Sequence, residues 1–359
     1  MEKNSKGITI HLWARDSYIF EFPSFIANAV DQAHKHDQVI LDAHGEGISL
    51  ERLVDKDKKL IDILTEICQS NNWPKNKFIF KTGNLIQDPA VWPEIRYNGN
   101  LCSAGDGNTF FYGRDIGYQP KEKSFTHYFG CLVNGSTWPR LWISAFLDKN
   151  FFDKTFQTFR RSLTNPAHMI NLDLDRLFFY FSNHKKLNDK TIGILENFLK
   201  KLPIEKHKDT NMHEVEHFNW ATGAYDAECL GWYDNFLIDV VCESSFSGQT
   251  FFLTEKTARP LITRNPFLIF GPASFLKNLR KIGFKTFQNC WDESYDDFEG
   301  VMRINAIEKI LESISRYTLQ DLKLLYEKMK PTLDHNYSLY HSLRGDDIIK
   351  IFVKKSNND

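Results

Sequence analysis

The chain reads as an α/β protein of two Rossmann-like domains followed by a helical tail. Three observations predict this. Short apolar runs of β type alternate with amphipathic helical stretches through the first third, the pattern of a parallel, doubly wound sheet. A second alternating series starts near residue 127. The closing segments, 301–330 and the stretch near Asp346, carry helical signals only.

In order, residues 7–13 (GITIHLW) form a first strand, and 24–36 form a helix with Phe25, Ala29 and Ala33 along one face. Residues 38–43 (QVILDA) are a second strand, ending in the loop His44-Gly45-Glu46-Gly47. An amphipathic helix is predicted over 57–68 and a third strand over 77–81 (KFIFK). Residues 87–120 are rich in Gly, Asn, Asp and aromatics, which reads as loops plus an edge strand at 109–112. The second series gives a strand at 127–133, a turn at 134–137, a helix at 138–148 and a strand at 156–159. A helix at 191–201 and a buried strand at 236–242 (FLIDVVC) follow. Then come a helix at 254–264, a strand at 266–270, a helix at 274–281 and a short strand at 284–287. Pro260 removes a hydrogen bond inside the first of these helices, so a kink or break is expected there. The predicted domains are 1–122 and 123–335, each Rossmann-like, and a tail, 336–359, able to fold back on the first domain.

Composition narrows the function classes. At 359 residues, 42% hydrophobic and with 30 phenylalanines, the chain has ample material for packed cores and is no disordered segment. The formal charge of -1 gives no global field toward nucleic acid or an anionic membrane, so a nucleic-acid partner is not favoured. The six cysteines are scattered, with no CxxC pair, and suit reduced thiols in a cytoplasmic compartment. No apolar run approaches the ~20 residues of a membrane span.

The chemistry concentrates around residues 243–256. Glu243-Ser244-Ser245 follows a strand, where a Rossmann strand meets its cleft. Thr254 can cap a helix that opens with Glu255 and Lys256. The free N–H groups and dipole of such a start favour an anion, and Lys256 adds a point charge for phosphate. A carboxylate at Glu243 or Glu255 can accept ribose hydroxyls. The ordinary alternative, a capped surface helix with a surface ion pair, stands beside this reading.

Two Rossmann-like halves with a helical tail make the glycosyltransferase B architecture the natural candidate, with its site at the carboxyl ends of the strands. The run Glu243-Ser244-Ser245, then Phe252-Leu253-Thr254-Glu255-Lys256, then Pro266-Phe267-Leu268-Ile269-Phe270-Gly271-Pro272 resembles the donor region of the α1,3/4-fucosyltransferase family. Ser244 replaces that family's usual Asn, and the gap to the proline is about two residues shorter. Arg140, after the turn at Asn134-Gly135, matches the family's phosphate-facing arginine. Residues 140–159 are also similar to a segment of phage and bacterial glycosyltransferases. The resemblance covers roughly 127–290. It implies transfer from a nucleotide-diphosphate sugar, GDP-fucose-like, to a hydroxyl of a carbohydrate or other acceptor, with inversion and without metal or cofactor. It implies that Arg140 and Lys256 hold the pyrophosphate and that Glu243 and Glu255 hold ribose or sugar hydroxyls. Asn134, Ser244 and Thr254 complete the donor set.

An inverting transfer also needs a base. Glu46, presented by flanking glycines, is the candidate, with His44 in reserve and Asp16 weaker. Other clusters compete. Asp173-Leu174-Asp175 and the acidic run at 292–297 are each either cation ligands or solvated segments, the run capping the helix after it. His213-Glu214-Val215-Glu216-His217 satisfies H-E-x-x-H, the basis of a rival zinc-hydrolase reading, although its surroundings are polar. A second rival is a non-catalytic carbohydrate-binding protein. The aromatics between Trp92 and Tyr118 suit either stacking on a sugar or base or a packed core.

Overall fold

The fold is described from a computed structural model. It describes residues 7–11, 22–43, 47–50, 53–55, 58–86, 92, 95–97, 110–111, 114, 118–121, 123–133, 136–159, 170–205 and 227–352. The chain forms an α/β protein with two largely parallel sheets. It divides into two compact units, one made of Met1–Asn108, Ser247–Phe252 and Arg344–Asp359, the other of Thr109–Phe246 and Leu253–Leu343.

In the first unit, β1 (Ile8–His11), α1 (Phe22–Lys35) and β2 (Val39–Ala43) lead into a small hairpin, β3 (Leu53–Asp55) and β4 (Lys58–Lys59). Then come α2 (Leu60–Ser70), β5 (Phe78–Thr82) and β6 (Ile95–Tyr97). The main sheet is wholly parallel, in the order β1-β2-β5-β6. Its strands alternate faces as the pleat requires. Ile10, Val39, Leu41, Ala43, Phe78 and Phe80 join Ala29 and Ala33 of α1 and Leu60, Leu64 and Cys68 of α2 in one core. That apolar stripe of α1 is the one its spacing predicts. Among the described strands the order follows the chain without a reversal, a parallel α/β sheet consistent with the Rossmann-like domain expected. The helix expected from 57 begins at Leu60, because Lys58 and Lys59 are taken into β4. The edge strand expected at 109–112 is not formed at its described residues: Phe110 and Phe111 lie in a turn and pack on Tyr340 of the second unit's longest helix, in the same unit as themselves.

The second unit runs β7 (His127–Val133), α3 (Trp138–Phe151), β8 (Thr155–Phe159), α4 (Ile170–Asn183), α5 (Asp189–Leu199), β9 (Ile204–Glu205) and a short α6 (Ala227–Gly231). It continues with β10 (Phe236–Cys242), α7 (Glu255–Thr263), β11 (Phe267–Phe270), α8 (Phe275–Ile282), α9 (Gly300–Ile314) and α10 (Leu319–Ser342). A last helix, α11 (Gly345–Phe352), belongs to the first unit. The sheet order is β11-β10-β7-β8-β9, parallel but for the edge strand β9. Strands β7 and β10 are buried along nearly their whole length, as central parallel strands are. Helix α3 is buried on every side from Trp138 to Asp148, lying against β8 with α4 and α5 outside it. Its buried Asp148 is neutralised by Lys201 at 2.6 Å.

One expectation fails here, and of the kink or break expected at Pro260 the break does not occur. Residues 284–287 form no strand, because the Asn336 carboxamide takes the strand partner's place, bonding the N–H and C=O of Lys285 at 2.8 Å each. Helix α7 is not broken at Pro260 but runs on to Thr263. It ends at Arg264, whose left-handed φ of 54° is followed by an Asn265 N–H bond to the Pro260 carbonyl. Among the described residues no helix is long and apolar enough to cross a membrane.

Candidate functional site

In the second sheet the chain starts at β7, moves outward to β8, and returns on the other side of β7 to lay down β10 and β11. The reversal therefore falls between β7 and β10, and the carboxyl ends of these strands form a topological switch point, the place where open α/β sheets take ligands. After β7 comes α3, with Arg140 in its first turn. After β10 comes Glu243.

The two meet. Arg140 Nη2 donates to the Glu243 carbonyl at 3.2 Å, and both residues are buried. The Glu243 N–H donates to the Phe270 carbonyl at the end of β11, also at 3.2 Å. The Glu243 carboxylate reaches the start of α7. It accepts from Thr254 Oγ1 at 2.9 Å, from Thr257 Oγ1, and from the Ser244 N–H at 3.2 Å. Thr254 is the helix cap the sequence predicts: its Oγ1 accepts from the Lys256 N–H at 3.1 Å. Burial pushes the Glu243 carboxyl above the usual carboxylate range, while the Lys256 charge and the threonine hydroxyls pull it back. Gly271 makes room for this: a Cβ there would meet the Glu243 Cβ at 3.1 Å.

On the outer side of this knot Lys256 Nζ lies 2.5 Å from Glu255 Oε1, and Arg259 Nη2 lies 3.8 Å from the same oxygen. Both members of the Lys256–Glu255 pair keep some exposure, about a fifth of each side chain. The inner side holds a second polar group. Asp239, buried in β10, has its carboxyl raised to about 7 by burial, against the pull of the Arg259 charge and a hydrogen bond from the Tyr233 hydroxyl. The group ties α7 to the middle of the sheet.

Of the donor set expected from sequence, Arg140, Glu243, Ser244, Thr254, Glu255 and Lys256 all lie in this region. Asn134 lies outside the described residues, as do the expected base Glu46, its reserve His44, and Asp16. His213 and His217 lie outside them too. Asp173 and Asp175 fall within helix α4, and Asp175 is exposed. The acidic run is structural. Asp296 accepts from the Leu276 and Lys277 N–H groups and pairs with the buried Arg303 at 3.6 Å. Glu293 accepts from Thr286, Phe287 and Arg280. The run thus caps α8, the helix before it, rather than the one after. Among the described residues no group of three or more His, Cys, Asp or Glu is placed to hold a metal.

Sequence reading missed Thr257 and Arg259, which directly follow the Thr-Glu-Lys run; their helical spacing from Thr254 and Glu255 was the available signal. It also missed a charged row in the first unit. His11, Asp42 and Lys81 stand in register across the carboxyl ends of β1, β2 and β5, with Asp42 3.6 Å from His11 and 3.3 Å from Lys81.

Comparison with models of protein families, with characterised proteins and with solved structures finds no match for this chain.

Proposed function

We propose that the protein is a glycosyltransferase of the B architecture, moving a sugar from a nucleotide-diphosphate donor to a hydroxyl acceptor with inversion. The observation that carries this reading is the meeting of Arg140, Glu243 and the start of α7 at the switch point of the second sheet. A departing nucleoside diphosphate gains negative charge as the glycosidic bond breaks. Fixed cations and oriented N–H groups stabilise that charge in the transition state more than in the ground state. Lys256 is a partly exposed cation of the region and Arg140 a buried one. In the unliganded protein Lys256 is held by Glu255, so the donor phosphates must draw it away.

The proton on the acceptor hydroxyl needs a base, and Glu46, with His44 as the reserve candidate, keeps that role in the proposal. Scattered thiols favour a reducing cytoplasm, and a carbohydrate acceptor suits the resemblance to fucosyltransferases. Isothermal titration with GDP-, UDP- and dTDP-sugars, followed by assay for released nucleoside diphosphate, tests the reading. Binding of one class with slow hydrolysis is expected; no binding of any class counts against it.

A further inference from the structure

We propose that Glu243 is a positioning residue of the donor site, a strut that sets Arg140 and the start of α7 in one geometry, and not a ligand of the donor's ribose. This rests on the donor reading above and assigns Glu243 a different part in it from the one the resemblance implies.

The argument is one of hydrogen-bond capacity. A carboxylate has two oxygens and about four lone-pair sites. In Glu243 one oxygen takes Thr254 Oγ1 at 2.9 Å and the Ser244 N–H at 3.2 Å, and the other takes Thr257 Oγ1 and a longer contact from Thr254 at 3.2 Å. Both oxygens are therefore in use, and the residue is only 5% exposed. A ribose diol would have to displace the two threonine hydroxyls, one of which is the cap of α7. Those hydroxyls would then be left in a buried site without their acceptor. The main chain of Glu243 is engaged as well, its carbonyl by Arg140 and its N–H by Phe270. One residue thus joins the starts of α3 and α7 to the end of β11, the three elements that meet at this corner of the sheet.

The consequence for a ligand is specific. A strut acts on whatever the two cations hold, which is the diphosphate. A ribose ligand acts on the sugar ring of the nucleoside and on nothing else. Inorganic pyrophosphate has no ribose, so it separates the two roles.

The test uses the full chain with Glu243→Gln, Glu243→Ala and Thr257→Val, and titrates each with inorganic pyrophosphate, GDP and UDP. Thermal melting checks that each variant is folded. A glutamine can still accept from Thr254 and donate to Thr257, so Glu243→Gln is the conservative variant and should retain affinity for all probes. Glu243→Ala should weaken pyrophosphate and the bound nucleoside diphosphate by a common factor, about tenfold. Thr257→Val removes one leg of the strut without touching the carboxylate and should weaken both probes in the same ratio, about threefold. A Glu243→Gln variant that loses nucleoside diphosphate affinity while keeping pyrophosphate affinity overturns the proposal in favour of a ribose ligand. Folded variants that bind every probe like the wild type overturn it in favour of packing alone. A wild-type protein that binds none of the probes defeats the donor reading itself, and the strut with it, and that outcome is visible before any variant is made.

Discussion

Removing the negative charge of Glu255 should tighten phosphate binding. Its Oε1 lies 2.5 Å from Lys256 Nζ, and Arg259 is near the same oxygen. In the free protein the carboxylate therefore engages the very cation the donor needs, and a bound diphosphate would sit beside it. Two unit charges about 6 Å apart repel by about 1.5–3 kcal/mol at an effective dielectric of about 20–40. Partial exposure of the pair and salt reduce this, and about 1 kcal/mol of net relief is a fair expectation. Glu255→Gln should thus raise pyrophosphate affinity about fivefold at low salt, with a smaller gain as salt rises. Lys256→Ala should lower it about tenfold, and in that background the Glu255→Gln gain should shrink, because the cation it would liberate is gone. Calorimetric titration of the four proteins with pyrophosphate reads all of this. If Glu255→Gln leaves pyrophosphate affinity unchanged or weakens it, Lys256 is not the phosphate-holding cation and the reasoning is refuted.

Three further outcomes concern the scaffold. The ring of Phe236 in β10 occupies the place where a Cβ on Gly130 of β7 would stand, so Gly130→Ala should cost about 1–3 kcal/mol in denaturant unfolding; a neutral result would mean the ring moves freely. Asn336→Ala removes a buried carboxamide and strips Lys285 of both its backbone partners, and a loss of about 1–3 kcal/mol by the same method is expected, whereas no loss would show that solvent replaces them. Lys123, buried and holding Tyr233, Asp234 and Asn265, has its ammonium pushed down from 10.5 to about 8 by burial, against the pull of Asp234. Between those values the unfolded chain keeps a proton that the folded protein has released, so this group makes stability rise with pH, by about 3 kcal/mol across the window, and lowers it again as pH falls to 8. Lys123→Met should flatten that part of the stability profile; an unaltered slope would assign it to other groups.

The core of the second sheet was legible because its signal is dense. Residues 127–133 and 236–242 are seven-residue runs, apolar but for His127 and Asp239, and β7 and β10 occupy them end to end. The β3–β4 hairpin was not legible, since β4 is two lysines with no apolar alternation, and β6 is three residues long. The false strand at 284–287 has strand composition but is paired by a side chain some fifty residues on, which no local pattern encodes. The direction of the acidic run's capping was hidden for the same reason. The partner that buries Asp296 with α8 is Arg303, a residue of the following helix. Thr254, Glu255 and Lys256 were readable as a capped helix start. The closed bonding of Glu243 was not, because it depends on β11, α3 and α7 arriving at one corner together.

Crystals of the protein soaked with a mixture of GDP-, UDP- and dTDP-sugars test the central claim most directly. The account predicts a diphosphate at the carboxyl ends of β7 and β10, with Lys256 turned from Glu255 toward it and Glu243 still bonded to Thr254 and Thr257. A nucleotide bound away from that corner, or none at saturating concentration, would contradict it.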